Sequence, residues 1–200
     1  MKLNWAERWV VNNPFRVIEQ RIEIHFLKGM ISLKEGMKIL EVGCGRGAGA
    51  RLIHKTFQPS SLYAMDLDID MVRKAKGYLS PEEREKILLH VGDVFRLPFR
   101  DGELDIVFGF GVLHHVLDWR GAAAEIARVL KTGGIYVLEE LYPSTYQNFI
   151  TKHILVHPNE DRFLSHDLRE GLESRGLEIR NALELKKIGI LAVAVKDAGT

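Results

Sequence analysis

The sequence contains little cysteine, no excess of either charge and no long apolar run. Its one cysteine, Cys44, excludes an intramolecular disulfide and a zinc site built from cysteines. Lys and Arg number 28 against 27 Asp and Glu, and the net charge of +1 argues against binding to bulk nucleic acid. No apolar run approaches the roughly 20 residues that a membrane-spanning helix needs. The sequence therefore predicts neither a disulfide scaffold, nor a membrane span, nor a nucleic-acid partner.

The start of the chain also lacks the apolar centre of a secretory signal peptide. We therefore expect a soluble intracellular protein in the cytoplasm. Its 200 residues are enough for one sizeable domain with its own core, and the hydrophobic content of 46% is ordinary for a globular protein.

A glycine-rich stretch is the feature around which the chain is organised. A short apolar run at 39–42 indicates a buried strand, and glycines at positions 43, 45, 47 and 49 follow it at once. A helical pattern begins at Ala50. This order is typical of a cofactor-binding loop, because glycine allows a tight turn and lets backbone N–H groups come close to a ligand.

By itself the loop fits more than one cofactor. Gly43-x-Gly45-x-x-Ala48 matches the dinucleotide pattern, whereas the absence of a following Gly-Lys-Ser/Thr excludes a P-loop. Asp66 ends the second predicted strand, 19 positions after Gly47, where a carboxylate can accept hydrogen bonds from a ribose diol. Enzymes that bind different nucleoside cofactors share this device, so Asp66 does not decide between them.

Strands and helices alternate along the chain with short connections, which predicts a three-layer α/β sandwich. The predicted strands cover 39–42, 62–65, 87–91, 104–110, 135–141, 177–179 and 188–195. The predicted helices cover 15–26, 49–57, 71–79 and 165–175, with one more that starts near 124 and is ended by the glycines at 133 and 134. The predicted helix caps are Asp68, Ser80 and Ser165.

The glycine loop and four later segments resemble the class I S-adenosylmethionine (SAM) methyltransferases. Glu41-x-Gly43-x-Gly45-x-Gly47 is similar to the family's motif I, and Glu41 favours this family over the dehydrogenases. The later segments are 92–94, 97–99, 108–116 and 124–134. The resemblance covers about residues 36–141 and is strongest for the branch that includes quinone-biosynthesis and many small-molecule enzymes. It implies a Rossmann-like sheet of seven mostly parallel strands, the last of them antiparallel.

The resemblance implies cofactor-binding residues in three groups. Those at the methionine end are Glu41, Gly43, Cys44, Gly45 and Gly47. Those at the ribose and adenine are Asp66, Leu67, Asp93 and Val94. Those at the methyl-donor end are Phe110 and Gly111.

Two pairs of histidines are candidates for chemistry. His114 and His115 lie in the segment near the methyl-donor end, where they serve either as a catalytic base or as structural or cofactor-wall residues. His153 and His157 have the i, i+4 spacing of metal ligands on a helix. Because no third ligand of matching spacing is evident, we expect no metal.

The function implied by the resemblance is transfer of the methyl group of SAM to a small-molecule acceptor, which leaves S-adenosyl-L-homocysteine. SAM already carries an activated methyl group, so the protein has mainly to place the acceptor in line with it. Two alternatives stay open: an NAD-dependent oxidoreductase that uses the same loop, and a catalytically silent methyltransferase fold that serves as a partner subunit. The sequence predicts neither the acceptor, nor the methylated atom, nor the oligomeric state.

Two aromatic-rich segments flank the matching region, within what we expect to be one domain over residues 1–200. Residues 1–35 contain Trp5, Trp9 and a predicted amphipathic helix, which either covers a pocket as a lid or packs on the sheet. The apolar stripe of that helix is Phe15, Ile18, Ile22 and Phe26.

Residues 142–164 form the second segment, an expected substrate-side insertion. Ligands of open α/β sheets bind at the carboxyl ends of the strands, so we expect the acceptor between these two segments, over strands four and five. Glu140, Tyr142 and Tyr146 either face the acceptor or lie on its rim.

Overall fold

The computed structural model describes residues 13–31, 36–146 and 162–197. Within these ranges strands and helices alternate, as predicted. The strands are β1 (Lys38–Val42), β2 (Ser61–Asp66), β3 (Ile87–Val91), β4 (Leu104–Phe110), β5 (Leu130–Leu141), β6 (Leu177–Leu185) and β7 (Gly189–Lys196). The helices are α1 (Pro14–Met30), α2 (Ala48–Phe57), α3 (Ile69–Tyr78), α4 (Pro81–Lys86), α5 (Trp119–Val129), α6 (Pro143–Tyr146) and α7 (Ser165–Glu173), with a 3-10 turn at Leu113–His115. None of the helices in these ranges has the length and apolar character needed to cross a membrane.

The strands form a seven-stranded sheet in the order β3-β2-β1-β4-β5-β7-β6. Neighbouring strands from β3 to β5 run parallel, whereas β7 lies antiparallel to both β5 and β6. The predicted sheet, mostly parallel with an antiparallel last strand, is therefore confirmed. The strand order reverses between β1 and β4, and a crevice at the carboxyl ends of the strands is expected at such a point.

Two apolar clusters cover the two faces of the sheet. One joins α5 and α7 to Leu40 and Val107, and the other joins α1 and α2 to Ile39 and Ile106. These neighbouring strand residues belong to different clusters because successive side chains of a strand point to opposite faces. The result is the predicted order of three layers, helix on sheet on helix.

Two of the predicted helix caps are confirmed. The Asp68 carboxylate accepts a hydrogen bond from the Asp70 N–H (3.0 Å) at the start of α3. At the start of α4, Ser80 and Glu83 each accept from the backbone N–H of the other, which is a capping box. Helices α3 and α4 therefore begin directly after the predicted caps, and α3 follows β2 after a short connection.

Two other predicted helix boundaries are wrong. Helix α5 ends at Val129, before the glycines at 133 and 134, because the next residue, Leu130, already pairs with Leu104 in the sheet. Ser165 is the first residue of α7 and does not cap it; the Asp167 carboxylate closes that end by accepting from the Leu164 N–H (2.9 Å).

Helix α1 buries a different face from the one that the pattern predicts. The predicted stripe is exposed at the surface: the accessible fraction of each residue is 48–76% in Phe15, Ile18, Ile22 and Phe26. The face that packs against α2 and β7 instead carries Gln20, Ile24 and Leu27, all less than 9% exposed. Both sets of residues have helical spacing, so periodicity alone could not choose between them.

Candidate active site

The predicted cofactor residues surround one cavity at the carboxyl ends of β1, β2 and β4. Nine of them line it: Gly43, Cys44, Gly45, Asp66, Leu67, Asp93, Val94, Phe110 and Gly111. His115 lines the cavity as well, whereas Glu41, Gly47 and His114 are not part of the lining. Residues from four separate stretches of sequence therefore meet at the edge where the strand order reverses.

Three glycines with left-handed backbones shape the loop after β1. The φ angles are +69° at Gly43, +52° at Gly45 and +85° at Gly47, a region that other residues rarely adopt. The Cys44 N–H donates to the Met65 carbonyl oxygen (2.9 Å), which fastens the loop to β2. Burial raises the pKa of the Cys44 thiol well above its ordinary value, so this residue packs and is not a ready nucleophile.

Asp66 connects the end of β2 to the glycine loop. Its Oδ2 accepts a hydrogen bond from the Gly45 N–H (2.9 Å) and its Oδ1 accepts one from the Asp68 N–H (2.8 Å). These bonds hold the carboxylate at the cavity wall. Each carboxylate oxygen has two lone pairs and only accepts hydrogen bonds, which is the chemistry that binding a ribose diol requires.

Glu41 lies beneath the glycine loop and is 1% exposed. Its Oε2 atom has no hydrogen-bond partner among the described residues. Its Oε1 atom fills the space beside Gly49, where an added Cβ would lie 2.0 Å away. Burial, and then the charge of Asp66, raise the pKa of Glu41 to about 8. Glu41 also accepts a backbone hydrogen bond from Ala50, so only its Oε2 atom is left without a donor, and a buried acceptor without a donor is unfavourable.

Replacing Glu41 with glutamine is expected to stabilise the ligand-free protein at high pH. The pKa of Glu41 is raised from 4.5 to about 8, so the folded protein keeps a proton that the unfolded chain releases. Stability from this group is present below pH 4.5 and is lost as the pH rises through about 8. Glutamine is neutral at every pH and avoids that loss, so the variant's free energy of unfolding at high pH should be larger by on the order of 2–4 kcal/mol.

Urea unfolding at pH 5 and pH 9 tests this expectation. The two proteins should have similar free energies of unfolding at pH 5, and the Glu41→Gln variant should be the more stable at pH 9. A variant that is less stable at both pH values would contradict the burial of an uncompensated carboxyl group.

The turn after β3, which is predicted to contact the adenine, forms another part of the cavity wall. The Gly92 N–H donates to the Asp66 carbonyl oxygen (3.0 Å), which places this turn beside β2. The Asp93 Oδ1 accepts from the Phe95 N–H (3.0 Å) and so fixes its own carboxylate. Leu67 and Phe95, exposed by 41% and 42%, offer apolar surface for a planar ring.

The two histidines occupy different places. His115 lines the cavity, whereas His114 is buried with 3% exposure. The Nδ1 atom of His114 lies 2.6 Å from Oε2 of Glu140, and because a carboxylate only accepts hydrogen bonds, Nδ1 is the donor. The ring of His114 contacts that of His115 at 4.3 Å between centroids and stacks on Tyr146 at 5.6 Å.

Glu140 fixes the turn that carries both histidines. It is fully buried, and its oxygens accept hydrogen bonds of 2.8–3.2 Å from the backbone N–H groups of Val112, Leu113 and His114. The side chain of Glu140 therefore faces the turn and stabilises its conformation. The amino-acid sequence did not indicate this role for Glu140, since its partners lie 26–28 residues away along the chain.

The two segments predicted to border the acceptor lie only partly within the described residues. The hydroxyl group of Tyr142 donates to Glu184 (2.8 Å), so this tyrosine braces β6. Phe15, predicted to border the acceptor, is 76% exposed and does not line the cavity. The tryptophans at 5 and 9 and the histidines at 153 and 157 lie outside the described residues.

Helix α1 contributes two cavity residues that the sequence did not predict, Arg16 and Gln20. Arg16 forms an ion pair with Glu139 of β5, 123 residues further along the chain. Burial, followed by the charge of Glu139, raises the pKa of the neighbouring Glu23 to about 7. No sequence motif includes Arg16, Glu23 or Glu139, so their proximity could be seen only in the folded structure.

A family profile described as a methyltransferase domain matches residues 40–138, which span the glycine loop, Asp66, Asp93 and the turn of the two histidines. The chain belongs to the class I SAM-dependent methyltransferases. The chain is 34% identical over 148 residues to a sterol 24-C-methyltransferase of Aspergillus fumigatus, covering 73% of this chain and 39% of that protein. It is 32% identical over 109 residues to a fatty-acid O-methyltransferase of Mycolicibacterium smegmatis, covering 54% of this chain and 39% of that protein.

Solved structures share the fold of the chain. A SAM-dependent methyltransferase from Aquifex aeolicus has a TM-score of 0.77 and 20% identity, covering 98% of this chain and 100% of that chain. A chain of the complex between the Haloferax volcanii Trm112 methyltransferase activator and a methyltransferase has a TM-score of 0.77 and 19% identity, covering 98% of this chain and 96% of that chain. The family's cofactor is SAM. The chain spans about two fifths of the length of the two curated relatives named above.

Proposed function

We propose that the chain transfers the methyl group of SAM to an apolar small molecule. The observation that carries the proposal is the meeting, at one cavity, of the left-handed glycine loop, Asp66 and the turn at Asp93, with Glu41 directly beneath. The unsatisfied Oε2 of Glu41 fits a ligand that brings a positive group to this end. When bound, SAM supplies a methyl group already activated on a sulfonium. The protein's part is to bind, orient and shield.

In this proposal different elements hold the two ends of the cofactor. The glycine loop and Glu41 hold the methionine end, and Asp66 accepts from the ribose hydroxyl groups. Asp93 and the Val94 N–H recognise the adenine edge. The hydrogen bond from Gly45 to Asp66 supports this division, because it couples the two binding elements in one rigid unit.

At the methyl-donor end we assign Phe110 and Gly111 to the wall of the site, with His115 beside them. A dedicated base is needed only for an acceptor that must lose a proton. His115 is the histidine that could take that proton, because it lines the cavity. His114, held by Glu140, supports the His115 ring from behind.

Two observations support an apolar acceptor. Next to Gly111 in the sequence, the cavity lining includes the apolar residues Phe110, Val112 and Val116. The names of the two curated relatives refer to a sterol and a fatty acid as acceptors, methylated on carbon and on oxygen. The proposal therefore specifies the polarity of the acceptor and leaves the methylated atom open. We propose that the acceptor lies between residues 1–35 and the insertion 142–164, within one domain.

Calorimetry with SAM, S-adenosyl-L-homocysteine and NAD tests the cofactor. We expect binding of the first two and none of the third. Incubation with methyl-labelled SAM and lipid extracts then tests for transfer. A protein that binds SAM but labels no acceptor would favour the catalytically silent partner subunit.

Replacing Asp66 with alanine is expected to weaken SAM binding without unfolding the protein. Hydrogen bonds to a charged acceptor contribute roughly 1.5–3 kcal/mol each, so losing the ribose contacts should cost about 2–4 kcal/mol. That is roughly a 30- to 1,000-fold increase in the dissociation constant. Calorimetry of the variant measures it.

Asp68→Ala is the matched control for this variant. Asp68 lies two positions further on and caps α3. Its loss should lower stability by about 0.5–2 kcal/mol and leave SAM affinity nearly unchanged. Equal SAM affinity in a folded Asp66→Ala protein would rule out the ribose assignment.

A further inference from the structure

An apolar stripe of α1 faces away from the rest of the protein. It consists of Phe15, Ile18, Ile22, Phe26 and Met30, which are three or four positions apart and each at least 36% exposed. Residues at this spacing are neighbours on a helix surface, so the stripe is continuous. Soluble proteins rarely leave a continuous apolar patch uncovered, and the stripe therefore marks an interaction surface.

A second set of exposed apolar side chains lies on the same side of the sheet. Leu183 and Leu185 of β6 are 48% and 58% exposed. Leu183 lies opposite Leu191 of β7, and residues directly opposite each other in an antiparallel pair point to the same face. Leu191 belongs to the apolar cluster that joins α1 and α2 to the sheet. Leu183 and Leu185 therefore point to the side of the sheet on which α1 packs.

Both sets reach the edge of the sheet that carries the cofactor cavity. Phe15 directly precedes Arg16, which lines the cavity. The turn between β6 and β7 lies beside the end of β5, because the Tyr142 N–H donates to the Ile188 carbonyl oxygen (2.9 Å). Ile188, within this turn, is 51% exposed. Two separate elements therefore expose apolar side chains next to the site.

The exposed charges of these two elements are mainly positive. They are Arg21 and Lys28 on α1, Lys186 and Lys187 in the turn between β6 and β7, and one acid, Glu19. Four cations and one anion leave +3 on these elements, whereas the whole chain carries +1. Glu19 is paired with Arg16, and none of the four cations forms an ion pair with another described residue. The surface thus combines apolar side chains with uncompensated positive charge.

Apolar groups flanked by cations match the surface of an anionic lipid bilayer. A helix of this pattern lies in the plane of such a surface, with its apolar side chains at the boundary of the acyl chains. Each lysine or arginine near the headgroups increases binding about fivefold. A second copy of the chain fits less well, because a two-fold interface sets a patch against itself and would bring like charges together.

We propose that the stripe of α1 and the turn between β6 and β7 bind an anionic lipid surface, which brings the cavity to an acceptor dissolved in the lipid. The role in acceptor delivery rests on the proposed function, since it needs an apolar acceptor, whereas lipid binding itself does not. An apolar acceptor partitions into the bilayer, so docking there spares it a passage through water.

Co-sedimentation of the full chain with vesicles tests the proposal. One set of vesicles contains phosphatidylcholine with about 30% phosphatidylglycerol, and the other contains phosphatidylcholine alone. We expect the anionic vesicles to bind at least about tenfold more tightly. Most of that preference should be lost at about 0.5 M salt, where exposed charges are screened.

Two variants address the two parts of the surface. Phe26→Ser removes an apolar side chain of the stripe and should weaken binding to anionic vesicles about tenfold. Lys186→Glu combined with Lys187→Glu should weaken it by roughly 30-fold or more and remove the preference for anionic lipid. All three side chains are exposed, so thermal melts and SAM affinity should stay near those of wild type.

The matched controls lie at the other end of the sheet. Leu88→Ser replaces an apolar residue of β3 that is 44% exposed, close to the 48% of Phe26. Lys74→Glu combined with Lys76→Glu makes the same change of charge on α3, where both lysines are exposed. Both controls should bind vesicles within about threefold of wild type, because attraction to the bilayer falls off within a Debye length.

The outcomes separate this inference from the proposed function. Wild-type protein that binds SAM but neither kind of vesicle would overturn the inference alone. Protein that binds anionic vesicles but not SAM would support the lipid surface and reject the use of SAM. Controls that weaken vesicle binding as much as the two variants would overturn the assignment to this face. A dimer in sedimentation that Phe26→Ser converts into a monomer, without vesicle binding, would assign the face to a second copy instead.

Discussion

Replacing Gly45 with valine is expected to abolish SAM binding while the protein remains folded. Gly45 has φ +52°, and an added Cβ would meet nothing within 4 Å in the described structure. The side chain would therefore enter the open cavity, where the methionine end of the cofactor is proposed to lie. A β-branched residue at positive φ also adds strain of about 1–3 kcal/mol. We expect SAM affinity to fall by more than about 100-fold, which corresponds to a loss above roughly 2.7 kcal/mol.

Gly133→Val is the control that separates strain from obstruction. Gly133 also has a left-handed backbone, with φ +73°, and an added Cβ there likewise has no neighbour within 4 Å among the described residues. It does not line the cavity. Both variants should lose similar stability in thermal melts, but only Gly45→Val should lose binding in calorimetry. If Gly45→Val still binds SAM within a few-fold of wild type, the loop does not contact the cofactor.

The sheet could be predicted from the sequence because its signals are local. The third strand (β3, Ile87–Val91) and the fourth (β4, Leu104–Phe110) have the predicted bounds, since each is a short apolar run between turn residues. Motif I predicted strand β1, the glycine turn and helix α2 as one unit. The same local logic predicted the caps at Asp68 and Ser80, where side chain and backbone partner are two or three residues apart.

The site was predictable only where its residues follow a strand directly. Asp66 and Phe110 end their strands, so strand order alone brings them to one edge. Arg16 could not be found in this way, because its partner Glu139 is 123 residues away and neither belongs to a motif. The buried face of α1 was missed for a related reason. Two stripes with helical spacing compete on that helix, and only its docking against α2 and β7 decides which one is buried.

Replacing Glu140 with alanine is expected to lower the free energy of unfolding by about 3–5 kcal/mol. The change leaves three buried backbone N–H groups, those of Val112, Leu113 and His114, and the His114 ring without their acceptor. An unsatisfied buried donor costs about 1–3 kcal/mol, and breaking one side of a buried charged network costs about 3–5 kcal/mol. Since domains are stable by only about 5–15 kcal/mol, this is a large fraction of the total.

Urea unfolding of wild type, Glu140→Ala and Glu140→Gln measures the contribution of this network. Glutamine keeps one acceptor oxygen for the turn but turns an NH₂ group towards donors that Glu140 now satisfies, so its loss should be intermediate. Because Glu140 holds the turn that carries His115 into the cavity, Glu140→Gln should also weaken SAM binding modestly, by less than Gly45→Val. A Glu140→Ala protein within about 1 kcal/mol of wild type would mean that the turn at 113–115 is held by other contacts. In that case the position of His115 would depend on the Arg162 side chain, which donates to the carbonyl oxygens of His114 and Val116 at 2.9 and 3.0 Å.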